Sequence, residues 1–199
     1  MRVLDLFCGA GGAAMGLHQA WPDAEIVGVD IKPQPRYPFI FIEADWKRPN
    51  HSEFDFIWAS PPCQFASECG HAKHRHHNFI PEVRECLREK PHVIENVDGA
   101  RDHLRRPFML CGTMFGLPIW RHRWFEIEGF QIEPLRTPCN HTGHPTLICG
   151  SGHGRGEAKV ERMKEAMRVP WMKVRHEVRQ AIPPAFSRYI AEQWSKSHE

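Results

Sequence analysis

The sequence predicts an α/β protein with a mostly parallel central sheet and a small irregular insert. Short apolar runs recur through the first half of the chain, each ending in a turn-forming or acidic residue. Helical segments lie between several of them, and the first helix opens on a glycine-rich turn. Strands that alternate with helices pair in parallel, because each crossover returns the chain to the same end of the sheet. The 199 residues are 41% hydrophobic and 25% charged, enough for one sizeable core, so residues 1–199 are expected to form a single domain.

The elements follow in order. Arg2 to Phe7 reads as a buried strand, followed by a glycine turn and a helix from about Gly12 to Trp21. Ile26 to Asp30 is a second strand, and Phe39 to Glu43 a third, after the proline-rich turn Lys32 to Pro38. Phe54 to Ala59 is a fourth and His92 to Val97 a fifth. Between these two, Ile80, Val83 and Leu87 share one helical face. Trp124 to Ile132 is expected to be a strand entering a hairpin. Glu133 to Gly156 is rich in Pro, Gly, Thr, Cys and His and reads as loop, with one strand at Thr146 to Cys149. Val160, Met163 and Met167 mark an amphipathic helix. A last helix begins near Pro184, where proline suits the first turn, and buries Phe186, Ile190 and Trp194.

Composition narrows the function classes. No apolar stretch approaches the roughly 20 residues of a membrane span. The N-terminus enters a strand directly, without the longer apolar region of a secretory signal, so a cytoplasmic location is expected. Seven cysteines, an odd number in a reducing compartment, point to buried thiols, metal ligands or a nucleophile. A net charge of +2 does not demand a polyanion, but basic residues cluster in His71 to His77, Arg101 to Arg106, Arg121 to Arg123 and Arg155 to Arg179. Nucleic acid is permitted by this pattern.

Two strand ends carry candidate chemistry. Asp5-Leu6-Phe7-Cys8-Gly9-Ala10-Gly11-Gly12 lies between a strand and a helix, where glycines let the backbone turn and approach a ligand closely. Asp30 ends the next strand, where a carboxylate can accept bonds from ribose hydroxyls. This pair fits a dinucleotide as well as S-adenosylmethionine, since both bring adenosine to the same place. Asp45, past the third strand, reads by itself as a solvated loop acid. Ser60-Pro61-Pro62-Cys63-Gln64 follows the fourth strand, and its two prolines provide a rigid mount for a thiol. The fifth strand ends in Glu95-Asn96-Val97. Adjacent parallel strands deliver their C-terminal residues to one edge, so Cys63 and Glu95 are expected to face one pocket.

Asp5 to Gly12, Pro61 to Gln64, Glu95 to Val97 and Arg121-His122-Arg123 stand in the order and spacing seen in DNA cytosine-5 methyltransferases. Thr113 to Pro118 and Gln180 to Pro184 resemble the same family, so the likeness runs through nearly the whole catalytic core. It implies a Rossmann-like S-adenosylmethionine-dependent methyltransferase fold. It also implies methyl transfer to C5 of cytosine in double-stranded DNA, through a covalent bond from Cys63 to C6 of a flipped base. In that scheme Glu95, Arg121 and Arg123 complete the catalytic set. Asp5, Phe7, Gly9, Gly11, Gly12, Asp30, Ile31, Asp45 and Pro62 hold the cofactor, with Phe7 and Ile31 against adenine, Asp30 on ribose and Asp45 on the adenine amine. Gln64, Ser67, Lys73 and Arg75 are expected to contact DNA, the last three from a loop at Phe65 to Asn78 that closes over the substrate.

The chain departs from the family in places. Ile119 stands where glutamine is usual, and Gln180 where asparagine is usual. The target-recognition region is reduced to about residues 129–157, which implies a short target or a partner protein that supplies recognition. Such compactness suits a phage or prophage enzyme of the restriction-modification kind. Cys139, His141, His144 and Cys149 are weak zinc candidates in this insert, because their spacing is not that of a finger. Cys8, Cys86 and Cys111 read as core thiols. Competing readings are an RNA cytosine-5 methyltransferase, a catalytically silent nucleic-acid-binding module and a Rossmann oxidoreductase. The last gives no role to Cys63 with Glu95.

Overall fold

The computed structural model of the chain describes residues 1–66, 76–148 and 158–198. Its strands are β1 (Arg2–Leu6), β2 (Glu25–Asp30), β3 (Ile40–Glu43), β4 (Phe56–Ala59), β5 (His92–Asn96), β6 (Phe108–Cys111) and β7 (His122–Glu128). They form one sheet in the order β3-β2-β1-β4-β5-β7-β6. The first five pair in parallel, and β7 runs antiparallel between β5 and β6. The order reverses at β1, where the neighbouring connections leave in opposite directions. A crevice at the C-terminal edge of such a switch point is the ordinary ligand site of an open α/β sheet.

The helices are α1 (Gly12–Ala20), α2 (Ile80–Leu87), α3 (Val160–Met167), α4 (Arg175–Gln180) and α5 (Pro184–Lys196). Alternation along the strands sends successive side chains to opposite layers. Val3, Phe56, Trp58, Val93 and Phe125 pack with Leu17 of α1 and Phe186 and Ile190 of α5. Leu4, Leu6, Val29, Ile57 and Ile94 pack on the other face with Ile80, Val83 and Leu87 of α2. A smaller cluster gathers Leu117, Ile119, Met163, Met167 and Val178 beside the sheet edge. Ile119, at the position where the family carries glutamine, is therefore a core residue, fully buried.

Several boundaries differ from the sequence reading. The hairpin strand β7 pairs with β6, which precedes it, and ends at Glu128 rather than running to Ile132. β6 is four residues long and lies beyond the alternating strand–helix pattern, paired among the described residues only with the antiparallel β7. Thr146 to Ile148 form no strand; the Thr146 amide donates instead to the Pro118 carbonyl at 2.7 Å. Cys149 lies outside the described residues. α4 was also unforeseen, since Arg175–Gln180 is polar except for the buried Val178. Cys8 is buried as expected, but Cys86 is exposed and meets His51 Nδ1 at 3.3 Å. Among the described residues no helix is long and apolar enough to cross a membrane.

Candidate active site

Parallel pairing sets Leu6 opposite both Val29 and Ala59, so the segments leaving β1, β2 and β4 emerge side by side. The turn after β1 takes an unusual path. Phe7 has φ of 57° and Gly9 and Gly11 have φ of 49° and 80°. A non-glycine residue in the left-handed region costs free energy, and such residues cluster at functional sites. At Gly11 a Cβ would lie 2.6 Å from Pro38 Cδ, whereas at Gly9 the space is open. Asp30 latches this turn to β2: its carboxylate accepts from the Gly9 amide at 3.1 Å and the Lys32 amide at 3.0 Å.

Asp5 is buried below the turn. The Tyr37 hydroxyl donates to its Oδ2 at 3.3 Å, while Oδ1 makes no hydrogen bond among the described residues. Burial holds this carboxyl well above the usual range, with the Tyr37 bond opposing. Ile31 is 69% exposed beside Asp30, an apolar side chain left uncovered at the strand end. Phe7 is half-buried with its ring 5.8 Å from Trp46, and Asp45 is exposed, accepting from the Lys47 amide. An open glycine turn, a carboxylate at the end of β2 and an uncovered apolar side chain suit an adenosine-bearing ligand.

The reacting end is built on β4, β5 and β7. The loop after β4 is tied to β5 because Asn96 Nδ2 donates to the Pro61 carbonyl at 2.9 Å. Cys63 follows at once, and its own carbonyl accepts from the Ala66 amide at 3.0 Å. Glu95 lies opposite Phe125 in the β5–β7 ladder, so Arg123, two residues away, projects on the same face. Arg123 Nε meets Glu95 Oε1 at 2.9 Å, with the two side chains only 13% and 8% exposed. Burial pushes the Cys63 thiol up and the Glu95 carboxylate adds to this, while the Arg123 and Arg121 guanidinium groups pull it back. Thiol, carboxylate and guanidinium thus form one electrostatic unit.

Residues 1–111 match the family of C-5 cytosine-specific DNA methylases. This chain belongs to that family. Its cofactor is S-adenosylmethionine, and the methylase acts on cytosine. No match was found among curated proteins. Among solved structures, the Entamoeba histolytica methyltransferase EhMeth is 11% identical, with a TM-score of 0.63 over 100% of this chain and 99% of that one. It therefore shares the fold. An RNA methyltransferase from Salinibacter ruber is 18% identical, with a TM-score of 0.38 over 67% of this chain and 85% of that one.

The remaining expected site residues of the methylase divide into four groups. Gly12 packs against the C-terminal segment, where a Cβ would lie 2.6 Å from the Ile182 carbonyl oxygen. Pro62 is half-buried and Gln64 exposed at the mouth of the site. Ser67, Lys73 and Arg75 lie outside the described residues. Arg121 Nη2 donates to the carbonyls of Arg179 at 2.6 Å and Ala181 at 2.8 Å, and its guanidinium charge still reaches Cys63 and pulls the thiol pKa down. This guanidinium anchors the Gln180-to-Pro184 stretch, which explains why that stretch belongs to the family likeness. Sequence reasoning passed over Tyr37 and Trp171, and gave Asn96 no role of its own within the Glu95-to-Val97 motif. Trp171 Nε1 donates to the Ala10 carbonyl at 2.8 Å and so braces the glycine turn from a distant segment. No local pattern marks such contacts, because the partners lie far apart in the chain.

Proposed function

We propose that this methylase transfers a methyl group to C5 of cytosine in double-stranded DNA, with Cys63 as the attacking group. The observation that carries the reading is the buried Arg123–Glu95 pair acting on the Cys63 thiol. Asp5, Phe7, Gly9, Gly11, Gly12, Asp30, Ile31, Asp45 and Pro62 would hold S-adenosylmethionine, which supplies an electrophilic methyl on a sulfonium. Cytosine C5 is a weak nucleophile while the ring is aromatic. Bonding of the Cys63 sulfur to C6 breaks aromaticity and makes C5 electron-rich. Glu95 would bond the N3 and exocyclic amine edge of the base, and Arg123 would donate to O2, where negative charge develops.

After transfer, the C5 proton passes to solvent, the C5–H electrons restore the C5–C6 double bond, and Cys63 leaves C6 as a thiolate. C6 is inaccessible inside a stacked duplex, so the base must leave the stack. The short recognition segment supports a short target, or recognition completed by a partner protein. Gln64 and the loop carrying Ser67, Lys73 and Arg75 would contact DNA.

The test is transfer of labelled methyl to unmodified duplex DNA by wild type and Cys63→Ala, with trapping on a duplex containing 5-fluorocytosine. The expected result is 5-methylcytosine from wild type only, and a covalent adduct through Cys63. Transfer to structured RNA with none to DNA would reassign the substrate.

A further inference from the structure

Cys111 ends β6 and His122 begins β7, and the two are register partners across the antiparallel pair. Residues directly opposite in such a ladder hold their side chains close together. The loop after β7 returns to the same point and adds Cys139 and His141. One ligand atom from each of the four lies within 4.8 Å of every other. His122 Nε2 is 3.1 Å from His141 Nε2 and 3.4 Å from Cys139 Sγ, and His141 Nε2 is 3.3 Å from both sulfurs. A tetrahedral zinc with ordinary Zn–S and Zn–N bonds requires ligand atoms about 3.3–3.8 Å apart. These separations fit within a few tenths of an ångström.

We propose that Cys111, His122, Cys139 and His141 form a structural zinc site. The donor set of two thiols and two imidazoles has the softness and number that zinc takes in closed sites. The four side chains come from three separate segments of the chain and converge on one point. The surroundings suit a bound thiolate: Thr113 Oγ1 donates to Cys111 Sγ at 3.2 Å and accepts from the Asn140 amide at 3.1 Å. Trp120 stacks on the His141 ring at 4.7 Å and 7°, which fixes the imidazole plane. Binding replaces the two thiol protons, so two thiolates neutralise the dication and two protons leave to solvent. His144, expected from sequence to share the site, is not in the cluster, and Cys149 lies outside the described residues.

The site has a clear structural consequence. It closes the chain between β6 and residue 141 across the sheet edge, with His122 between Arg121 and Arg123. Zinc would therefore hold the start of the reduced insert beside the strand that presents Arg123 to Glu95. It stands independently of which nucleic acid is methylated.

Metal content of the full chain, after zinc loading and removal of excess, tests this directly. One zinc per chain is expected from wild type and from the exposed-cysteine control Cys86→Ser. Cys139→Ser should lose it, and Cys139→His, which restores a nitrogen donor, should regain most of it. Cobalt(II) in place of zinc should give the visible absorption of a tetrahedral site and a thiolate charge-transfer band that Cys139→Ser lacks. If Cys139→Ser proves unfolded, the wild-type cobalt spectrum and two thiols that zinc shields from alkylation and a chelator exposes still decide. Zinc-free wild type after loading, retention of zinc by folded Cys139→Ser, an octahedral cobalt spectrum, or a Cys111–Cys139 disulfide in the reduced-purified protein would each overturn the proposal.

Discussion

Replacing Glu95 by glutamine separates two effects that otherwise move together. The substitution keeps the shape of the side chain and an acceptor for Arg123, but removes the charge that faces Arg123 Nε at 2.9 Å. Opposite charges roughly 4 Å apart attract by about 4 kcal/mol at an effective dielectric near 20, before desolvation is subtracted. Removing one partner of a buried pair costs about 3–5 kcal/mol when it strands a charge. Because glutamine still accepts a hydrogen bond, a loss of about 2–3 kcal/mol is expected, or a Tm lower by roughly 4–12 °C for a chain of this size. The variant should fold at 25 °C. Methyl transfer should fall by about 10²–10⁴, the usual contribution of a positioned acid. Reactivity of the Cys63 thiol should change in the opposite sense. Glu95 raises the thiol pKa, so its neutral replacement lowers it. Iodoacetamide labelling of Cys63 in the free protein, read by mass spectrometry at pH 7.5–8.5 (about one pH unit around the working range), should be faster in Glu95→Gln than in wild type. If labelling slows while the circular dichroism spectrum is unchanged, Glu95 activates the thiol as a base and the charge argument is wrong.

Other measurements follow from the same geometry. Burial and Glu95 hold the Cys63 pKa above the ordinary thiol value of 9.0, so thiolate is scarce at neutral pH and increases as pH rises. The kcat/KM for methyl transfer should therefore climb from pH 7 toward 9, approaching about tenfold per unit, and a profile flat across that range would contradict the shift. Ile31→Asp should leave Tm unchanged, because the side chain is 69% exposed. The Kd for S-adenosylmethionine should nonetheless increase about tenfold, since roughly 1–2 kcal/mol of apolar contact is lost; an unchanged Kd by calorimetry would remove Ile31 from the site. Gly16→Ala places a Cβ 2.0 Å from the Pro184 carbonyl oxygen and 2.1 Å from Ser187 Oγ, where α1 meets α5. Overpacking of about 1–3 kcal/mol should outweigh the roughly 1 kcal/mol that alanine gains in a helix, and a higher Tm would refute that close approach. Glu126→Ala strands Arg84, which binds it through Nε at 2.5 Å and Nη2 at 2.6 Å. A loss of about 3–5 kcal/mol is expected in urea unfolding, and a change under 1 kcal/mol would show that the pair matters little.

What the sequence determined by itself was the part that local order and strand direction dictate. Parallel strands place their C-terminal residues on one edge whatever the loops do, so Asp5 to Gly12, Asp30, Cys63 and Glu95 were legible together from their positions after apolar runs. Short apolar runs located five of the strands and helical periodicity several of the helices, and the motifs in order were enough to suggest the family. Tertiary structure decided what depends on chain reversal. β6 is four residues long and only its pairing with β7 makes it a strand. That pairing brings Cys111 opposite His122 and turns an apparent core thiol into one member of a four-ligand cluster. The loop then returns Cys139 and His141 to them but leaves His144 aside, a choice no spacing rule encodes. Arg121 and Arg123 look equivalent in sequence, yet they differ in their contacts. Arg123 meets Glu95, whereas Arg121 binds two carbonyls of the C-terminal segment. The physical reason is common to all three cases: contacts between residues close in the chain or on one strand edge follow from backbone periodicity, while contacts made by a returning segment depend on where the packed core sends it.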